Sequence, residues 1–387
     1  MRIIFYVHRN SFMRNWILNI CPLLIQNNVK IYVFYREEFI DHKKHKEIEL
    51  INISKFGTSE ILCEIKRINP NLFLLFGYRS FFELLLVRMC NYLNIQVTYI
   101  QHGMISLKYV SFWSRIRSIT LLTSIKNYLH YTKIFFQFII LSRENLLHEL
   151  DVFIKALFLT DYKNVGFNQF LLFSQDAYAV HKKIFSYDEI SVKIIGYPVF
   201  LNSTDIDSQV LVNNPQRLKI LYFHENFIQM NLTKISYNQE INYITEIAKI
   251  SKKYGYDFAI QLHPMESIEK YTSLCKNQEV KMYQESRLDV LVREFSIVVG
   301  HSSTALFVPI VLGIPLITLK YPYCTFIVNT FDDVALSANS LQEYENLLNN
   351  PGILSSKLTR YNNYKKMHLG TLNSYEDYSI AILTSLK

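Results

Sequence analysis

Short apolar runs rich in β-branched residues alternate along the chain with longer stretches of mixed apolar and polar residues. Parallel strands buried on both faces and joined by helices produce this pattern. Residues 3–7 predict a strand, and Ser11 is placed to cap a helix over 12–26. Strands follow at 30–34 and 49–53, separated by a polar connection over 37–47. A helix over 58–67 leads to a strand at 72–76 that runs out in Gly77-Tyr78-Arg79. Ser80 opens a helix to about residue 93. The strand at 96–100 ends in Gln101-His102-Gly103.

The rhythm then breaks. Residues 107–165 show no clear strand, and Phe112, Trp113, Tyr128, Tyr131, Phe135, Phe136 and Phe138 are interleaved with Lys108, Arg115, Arg117, Lys126, Lys133 and Arg143. Lys and Arg beside Trp and bulky apolar residues is the composition of a helix lying in a membrane interface. A helical insertion packed on its own domain, or a dimer contact, is the alternative. The alternation returns with a strand at 170–173, a helix at 176–185 and a strand at 192–195.

Residues 201–217 are polar and predict a linker. A second alternating series begins with a strand at 218–223 that ends in His224-Glu225-Asn226. A helix at 238–254, a strand at 257–262, a helix at 267–276 and a strand at 280–283 come next. After a brief helix at 289–293 come strands at 295–299 and 316–319, then helices at 341–349 and 358–368. The predicted fold is α/β, with two doubly wound, Rossmann-like domains facing a central cleft. The first spans 1–200 with a helical insertion at about 107–165, and the second spans 218–387. A length of 387 residues agrees with two cores rather than one.

Composition narrows the partners. The formal net charge of +8 favours anionic ones, but no nucleic-acid-binding module is legible. The five Cys are scattered with no C-x-x-C, which fits buried thiols in a reducing compartment better than disulfides or a metal site. The first residues enter a strand directly, and no run reaches the ~20 apolar residues of a membrane span. A cytoplasmic location follows as an expectation, with attachment to the inner face of the membrane through the basic, aromatic segment.

Candidate chemistry gathers at two strand ends of the second domain. Gly300 bounds the strand at 295–299, and His301-Ser302-Ser303 precedes a short helix over 304–312 that Gly313 and Pro315 stop. Hydroxyls beside free N–H groups at a helix N-terminus suit an anion. The bland alternative is that one Ser merely caps the helix. His263-Pro264 stands at the carboxyl end of the strand at 257–262, where open α/β sheets bind ligands. The His/Lys run at 42–46 reads as a solvated loop, and Asp205-Ile206-Asp207 as part of the linker. No Walker loop or G-x-G-x-x-G fingerprint occurs, and ten glycines are too few for a glycine-lined phosphate cradle.

The pairs His263-Pro264 and Ser302-Ser303, the latter within GHSSTAL…LGIP, resemble motifs of GT-B glycosyltransferases of bacterial surface-polysaccharide synthesis. Sialyltransferases and polysialyltransferases that use CMP-activated sugars are the nearest in pattern, over about a fifth of the chain. That resemblance implies that His263, Pro264, Ser302, Ser303 and Thr304 contact the donor nucleotide. It also implies that an acidic residue before the Ser-Ser strand, Glu285 or else Asp289, holds the ribose. The acidic motif that supplies the base in those enzymes is missing. Gln101-His102-Gly103 instead resembles the His-Gly motif of CDP-glycerol glycerophosphotransferases, which implies His102 as the base.

The sequence thus leads to an inverting, metal-independent glycosyltransferase without cofactor. It would move a sialic, nonulosonic or Kdo-like acid from a CMP donor to a capsule or lipopolysaccharide glycan, or to a lipid-linked acceptor. His102 and His263 are the candidate catalytic groups, with Gln101, Gly103 and Glu225 as cleft or acceptor residues. Alternatives are a CDP-glycerol or ribitol phosphotransferase, a UDP-sugar 2-epimerase, and a lectin-like subunit.

Overall fold

The structure is a computed structural model. It describes residues 1–7, 16–36, 47–78, 80–102, 121–143, 145–159, 161–185, 192–198, 218–228, 233–263, 266–272, 274, 280–284, 287–324, 331–370, 372–373 and 375–386. The described residues fall into two compact units. Met1–Leu107, Ile119–Val199 and Met367–Lys387 bound the parts of the first, and Phe200–Lys366 belongs to the second.

The first unit contains β1 (Arg2–Val7), α1 (Leu18–Gln26), β2 (Lys30–Tyr35), β3 (Ile48–Asn52), α2 (Thr58–Ile68), β4 (Leu72–Leu75), α3 (Phe81–Tyr92) and β5 (Gln96–Ile100). After these come α4 (Leu121–Ser142), α5 (Leu146–Ile154), β6 (Gln169–Leu172), α6 (Gln175–His181), β7 (Val192–Ile194) and the short β8 (Tyr197–Pro198). The sheet order is β3-β2-β1-β4-β5-β6-β7, all parallel. Its central strands are buried on both faces, which is why they read as continuous apolar runs. The helices bury single stripes. In α2, Ile61, Leu62, Ile65 and Ile68 face inward, and Asn69 ends the helix in the left-handed conformation (φ 47°).

The described part of the helical insertion packs on its own unit. Ile134, Phe135, Phe138 and Ile139 of α4 and Val152 and Phe153 of α5 are buried. The Phe153 ring lies tilted 4.9 Å from Phe81 and meets Phe135 edge-on at 4.8 Å, and the Thr58 hydroxyl donates to the Ile134 carbonyl at 2.7 Å. The fully buried Glu149 carboxylate accepts two bonds from the Arg88 guanidinium, one of them at 2.9 Å. Residues 103–120 lie outside the described part.

The second unit contains β9 (Lys219–Phe223), α7 (Tyr237–Lys253), β10 (Asp257–Gln261), β11 (Lys281–Tyr283), α8 (Leu288–Val292), β12 (Ile297–Gly300), α9 (Phe307–Leu312), β13 (Leu316–Leu319), β14 (Leu336–Ala338) and α10 (Leu341–Asn349). Its parallel sheet runs β11-β10-β9-β12-β13-β14. Both sheets therefore start in the middle, wind outward one way, then return to wind the other way. That reversal lies between β1 and β4 in the first sheet and between β9 and β12 in the second, and it opens a crevice at the carboxyl ends of those strands.

Three expectations need correction. The second domain does not extend to residue 387: Met367–Lys387 belongs to the first unit. There β15 (Leu372–Asn373) pairs with β8, and α11 (Tyr375–Ser385) covers α1. Tyr378 meets Trp16 edge-on at 5.5 Å and donates to the Gly196 carbonyl at 2.6 Å, while Ser379 donates to the Ile20 carbonyl at 2.7 Å. Burying Tyr378 and Ile382 on that face is what draws the segment across. The helix expected at 267–276 is, in its described part, mainly a 3₁₀ turn over Ile268–Tyr271. The one expected at 358–368 is broken into a 3₁₀ turn, a single α turn and a π turn. The linker at 201–217 lies outside the described residues.

Candidate functional site

The crevice of the second unit is built from two strand ends. The buried β9 runs straight into His224-Glu225-Asn226, all three of them buried. Its neighbour β12 runs into His301-Ser302-Ser303, and the register Val299↔Tyr222 carries the two loops forward side by side. The Ser302 backbone N–H donates to Glu225 Oε1 at 2.5 Å, and the Ser302 hydroxyl donates to Oε2 at 3.2 Å. Burial raises the Glu225 carboxyl above its usual range, opposed by these bonds and by one from the Ser303 backbone.

Ser303 behaves as the bland alternative foresaw. Its Oγ accepts from the Ala305 N–H at 3.2 Å and caps the 3₁₀ turn Thr304–Leu306, which continues into α9. A side chain at Gly300 would bring its Cβ to 2.7 Å from Leu306, so glycine lets that turn close over the strand end. Gly313 stops α9 in the left-handed conformation at φ 72°, as the sequence predicts.

His301 is held from both ring nitrogens. Nδ1 donates to the Leu319 carbonyl at 2.6 Å, and Nε2 accepts from the Tyr222 hydroxyl at 2.7 Å. Burial lowers its pKa to about 4, so the ring is neutral. Tyr222, Phe227, Tyr243 and Tyr321 surround it. It braces the crevice floor.

Behind Glu225 lies a network the sequence did not reveal. His224 Nε2 lies 3.2 Å from Glu240 Oε1 and 3.1 Å from the Tyr271 hydroxyl. Tyr271 donates to the other Glu240 oxygen at 2.7 Å, and Tyr321 also donates to Glu240. Burial alone would raise the Glu240 carboxyl, but the bonds from His224, Tyr321 and Tyr271 outweigh it and hold the group below its usual range. Glu240 sits on α7, Tyr271 after β10 and Tyr321 after β13. No local spacing links them. A buried acid on the inner stripe of α7, beside Ile244, Ile247 and Ala248, was the one available signal.

The other expected residues divide between the units. His263 is half-buried at the end of β10, one strand over from β9, and its carbonyl accepts from Gln284 at 3.1 Å and from the Glu266 N–H at 2.9 Å. Thr304 is half-buried at the start of the turn. Pro264 and Glu285 lie outside the described residues. Asp289, the other candidate for the ribose, is buried and takes a two-pronged pair from Arg287 at 3.0 and 2.8 Å. Glu225, expected as a cleft or acceptor group, holds Ser302 at the crevice of the second unit.

In the first unit His102 is exposed just beyond β5. Gln101 is buried and accepts from the Phe173 N–H at 2.8 Å, tying β5 to the end of β6. Gly103 lies outside the described residues. In that sheet β4 separates β5 from β1, so His102 stands beside the crevice rather than at the reversal itself.

No family model and no curated protein matches the sequence. Solved structures do resemble the fold. The glycotransferase of kitacinnamycin is similar over 100% of this chain and 99% of its own, with a TM-score of 0.59 at 11% identity. A variant of the wall teichoic acid polymerase TagF covers 100% of this chain and 88% of its own, with a TM-score of 0.60 at 10% identity. The UDP-GlcNAc 2-epimerase of Methanocaldococcus jannaschii, in complex with UDP-GlcNAc and UDP, covers both chains fully with a TM-score of 0.54 at 12% identity. Two parallel sheets wound in the same order, and likeness across the whole length, give this chain the GT-B fold.

Proposed function

We propose that the protein is an inverting glycosyltransferase that moves a sugar acid of the sialic, nonulosonic or Kdo type from a CMP-activated donor to a bacterial surface glycan. The observation that carries this reading is the meeting of Ser302 and Glu225 at the strand reversal of the second unit, with His263 at the next strand end. Crevices at that point receive nucleotides in doubly wound sheets.

In this reading the donor phosphate approaches the Ser302 N–H and hydroxyl as the Glu225 side chain turns away, and His263 adds a further hydrogen bond. His102, as a neutral imidazole, takes the proton from the acceptor hydroxyl. That oxygen attacks the anomeric carbon, the bond from this carbon to the phosphate oxygen breaks, and CMP leaves with its charge met by these donors. The stabilisation is electrostatic and asks for no metal. The acceptor is a glycan or lipid-linked glycan at the inner face of the cytoplasmic membrane.

A second reading is favoured by Gln101-His102-Gly103 and its exposed imidazole. It is transfer of glycerol phosphate or ribitol phosphate from a CDP donor by the same groups. Assaying hydrolysis and transfer with CMP-, CDP- and UDP-activated compounds separates the two. Turnover of CMP-sugars alone supports the first reading and of CDP-glycerol the second. Interconversion of UDP-sugars without transfer would make the protein an epimerase.

A further inference from the structure

We propose that the outward face of α4, continued by α5, is a docking surface for an anionic lipid bilayer. This deepens the membrane part of the reading above and rests on it for its purpose, which is to hold the acceptor site near a lipid-linked substrate.

The inward face of α4 is already spent on the core. Its outward face is apolar too. Leu129, Phe136 and Ile140 are 66%, 44% and 76% exposed, and Leu141 is exposed beside them. Steps of seven and eleven residues return to nearly the same direction on a helix, so Leu129, Phe136 and Ile140 form one stripe. On α5 the pattern continues, with Leu147 77% exposed and Ile154 seven residues on also exposed. The two helices are held together by the Phe135–Phe153 contact. A surface helix ordinarily places polar residues outward. Here α4 carries apolar side chains both inward and outward over residues 129–141, so its outer side calls for an apolar partner.

Charge identifies that partner. Exposed Lys133 lies within the stripe and exposed Arg143 at the end of α4, while residues 121–143 contain no Asp or Glu. The Arg36 guanidinium lies over the Tyr131 ring at 4.6 Å, adding a cation beside the same helix. The field is legible at His130, whose pKa is lowered by burial and then by the charges of Arg36 and Lys133. A second copy of this chain seated symmetrically on the stripe would bring Lys133 toward its own counterpart with no acid on α4 to answer it. On α5, Asp151 is paired with Lys155 at 2.6 Å, and Glu149 is buried against Arg88. An anionic leaflet satisfies both features at once, taking Phe136 and Ile140 into the acyl boundary and Lys133 and Arg143 at the headgroups. Among the described residues no helix is long and apolar enough to cross a membrane, so the attachment lies in the surface plane.

The test is co-sedimentation of the full chain with vesicles of equal parts phosphatidylglycerol and phosphatidylcholine, compared with phosphatidylcholine alone. Wild type is expected to bind the anionic vesicles preferentially and to lose binding as salt rises. The pair Lys133→Gln and Arg143→Asn should weaken anionic binding by about thirtyfold, the factor two cations near such a leaflet supply. Asn tolerates the positive φ of 57° at position 143. The triple change Leu129→Ser, Phe136→Ser and Ile140→Ser should abolish binding to either vesicle. These side chains are exposed, so the variant should still fold. Equal binding to both vesicles, or unchanged binding by either variant, overturns the proposal. So does a wild-type dimer, seen by light scattering, that the triple variant converts to monomer without losing vesicle binding. CMP binding is measured on the same samples. If CMP fails to bind while vesicle selectivity holds, the donor assignment falls and the docking surface stands; the reverse outcome sinks the surface alone.

Discussion

The strand ends of the two units use their polar residues in opposite ways. In the second unit His224, Glu225 and His301 are buried and bonded into one another's surroundings before any ligand arrives. In the first unit Gln101 is spent as a strut between strands, and His102 stands exposed beyond it. A preorganised polar site stabilises charge without reorganising, which suits a nucleotide that is always the same. An exposed imidazole can meet acceptors of varied shape and remains accessible to solvent protons, which suits a base. In the proposed reading the second unit is the donor half and the first the acceptor half.

The sharpest way to break that division is His102→Ala. Loss of a general base should reduce transfer by about 10²- to 10⁴-fold. CMP affinity, measured by calorimetry, should stay unchanged because the residue belongs to the other unit. If CMP affinity falls in step with turnover, His102 is a donor contact and the division is lost.

Glu240→Ala probes how far the second unit's order depends on its hidden network. Removing this carboxylate leaves His224, Tyr271 and Tyr321 buried without their shared acceptor, and breaking such a pair costs about 3–5 kcal/mol. Urea unfolding should show that loss at neutral pH. The folded-state pKa of Glu240 lies below its unfolded value, so its contribution is present above the unfolded pKa and fades as pH falls through the folded one. The gap between wild type and variant should therefore narrow in acid. A gap that is constant with pH would mean the ionised carboxylate is not what stabilises the unit.

His263→Ala, and separately Ser302→Ala with Ser303→Ala, should each lower turnover by about 10²-fold, the scale of a lost oxyanion donor. Both should weaken CMP binding, in contrast to His102→Ala. Ser303 also caps the turn, so the double variant should lose about 1 kcal/mol of stability as well. Retained CMP affinity in both variants would put the nucleotide elsewhere.

How much of this was legible follows from what each signal depends on. Buried parallel strands announce themselves locally, because both faces demand apolar residues; hence β5 and β13 were found to the residue. The helix stop at Gly313 and the cap at Ser80 are equally local. The strand β14, Leu336-Ser337-Ala338, has no β-branched or aromatic residue to mark it. The Glu240 network and the docking of α11 on α1 depend on contacts between residues far apart in sequence, such as Ser379 with Ile20. No window along the chain contains both partners. Ser302 was identified as a polar group at the right strand end, but its bond to Glu225 was out of reach for the same reason.

That bond yields the smallest and most discriminating effect. A phosphate and the Glu225 carboxylate cannot both occupy the Ser302 N–H and hydroxyl, since both are anions that need the same donors. Replacing Glu225 by Gln keeps an oxygen for the N–H but removes the charge. Hydrogen bonds to a charged acceptor exceed neutral ones by about 1 kcal/mol, so CMP should bind Glu225→Gln about fivefold more tightly than wild type. Stability gives an independent check of sign. Burial raises the Glu225 pKa in the folded state, so the ionised group works against folding as pH rises through the unfolded and then the raised folded value. The Gln variant should thus be at least as stable as wild type at neutral pH, with any advantage vanishing in acid. An ordinary binding residue would lose affinity on substitution, and a structural strut would lose stability. Weaker CMP binding by Glu225→Gln would show that the carboxylate is itself a ligand contact, for instance to the ribose, rather than an occupant that the donor displaces.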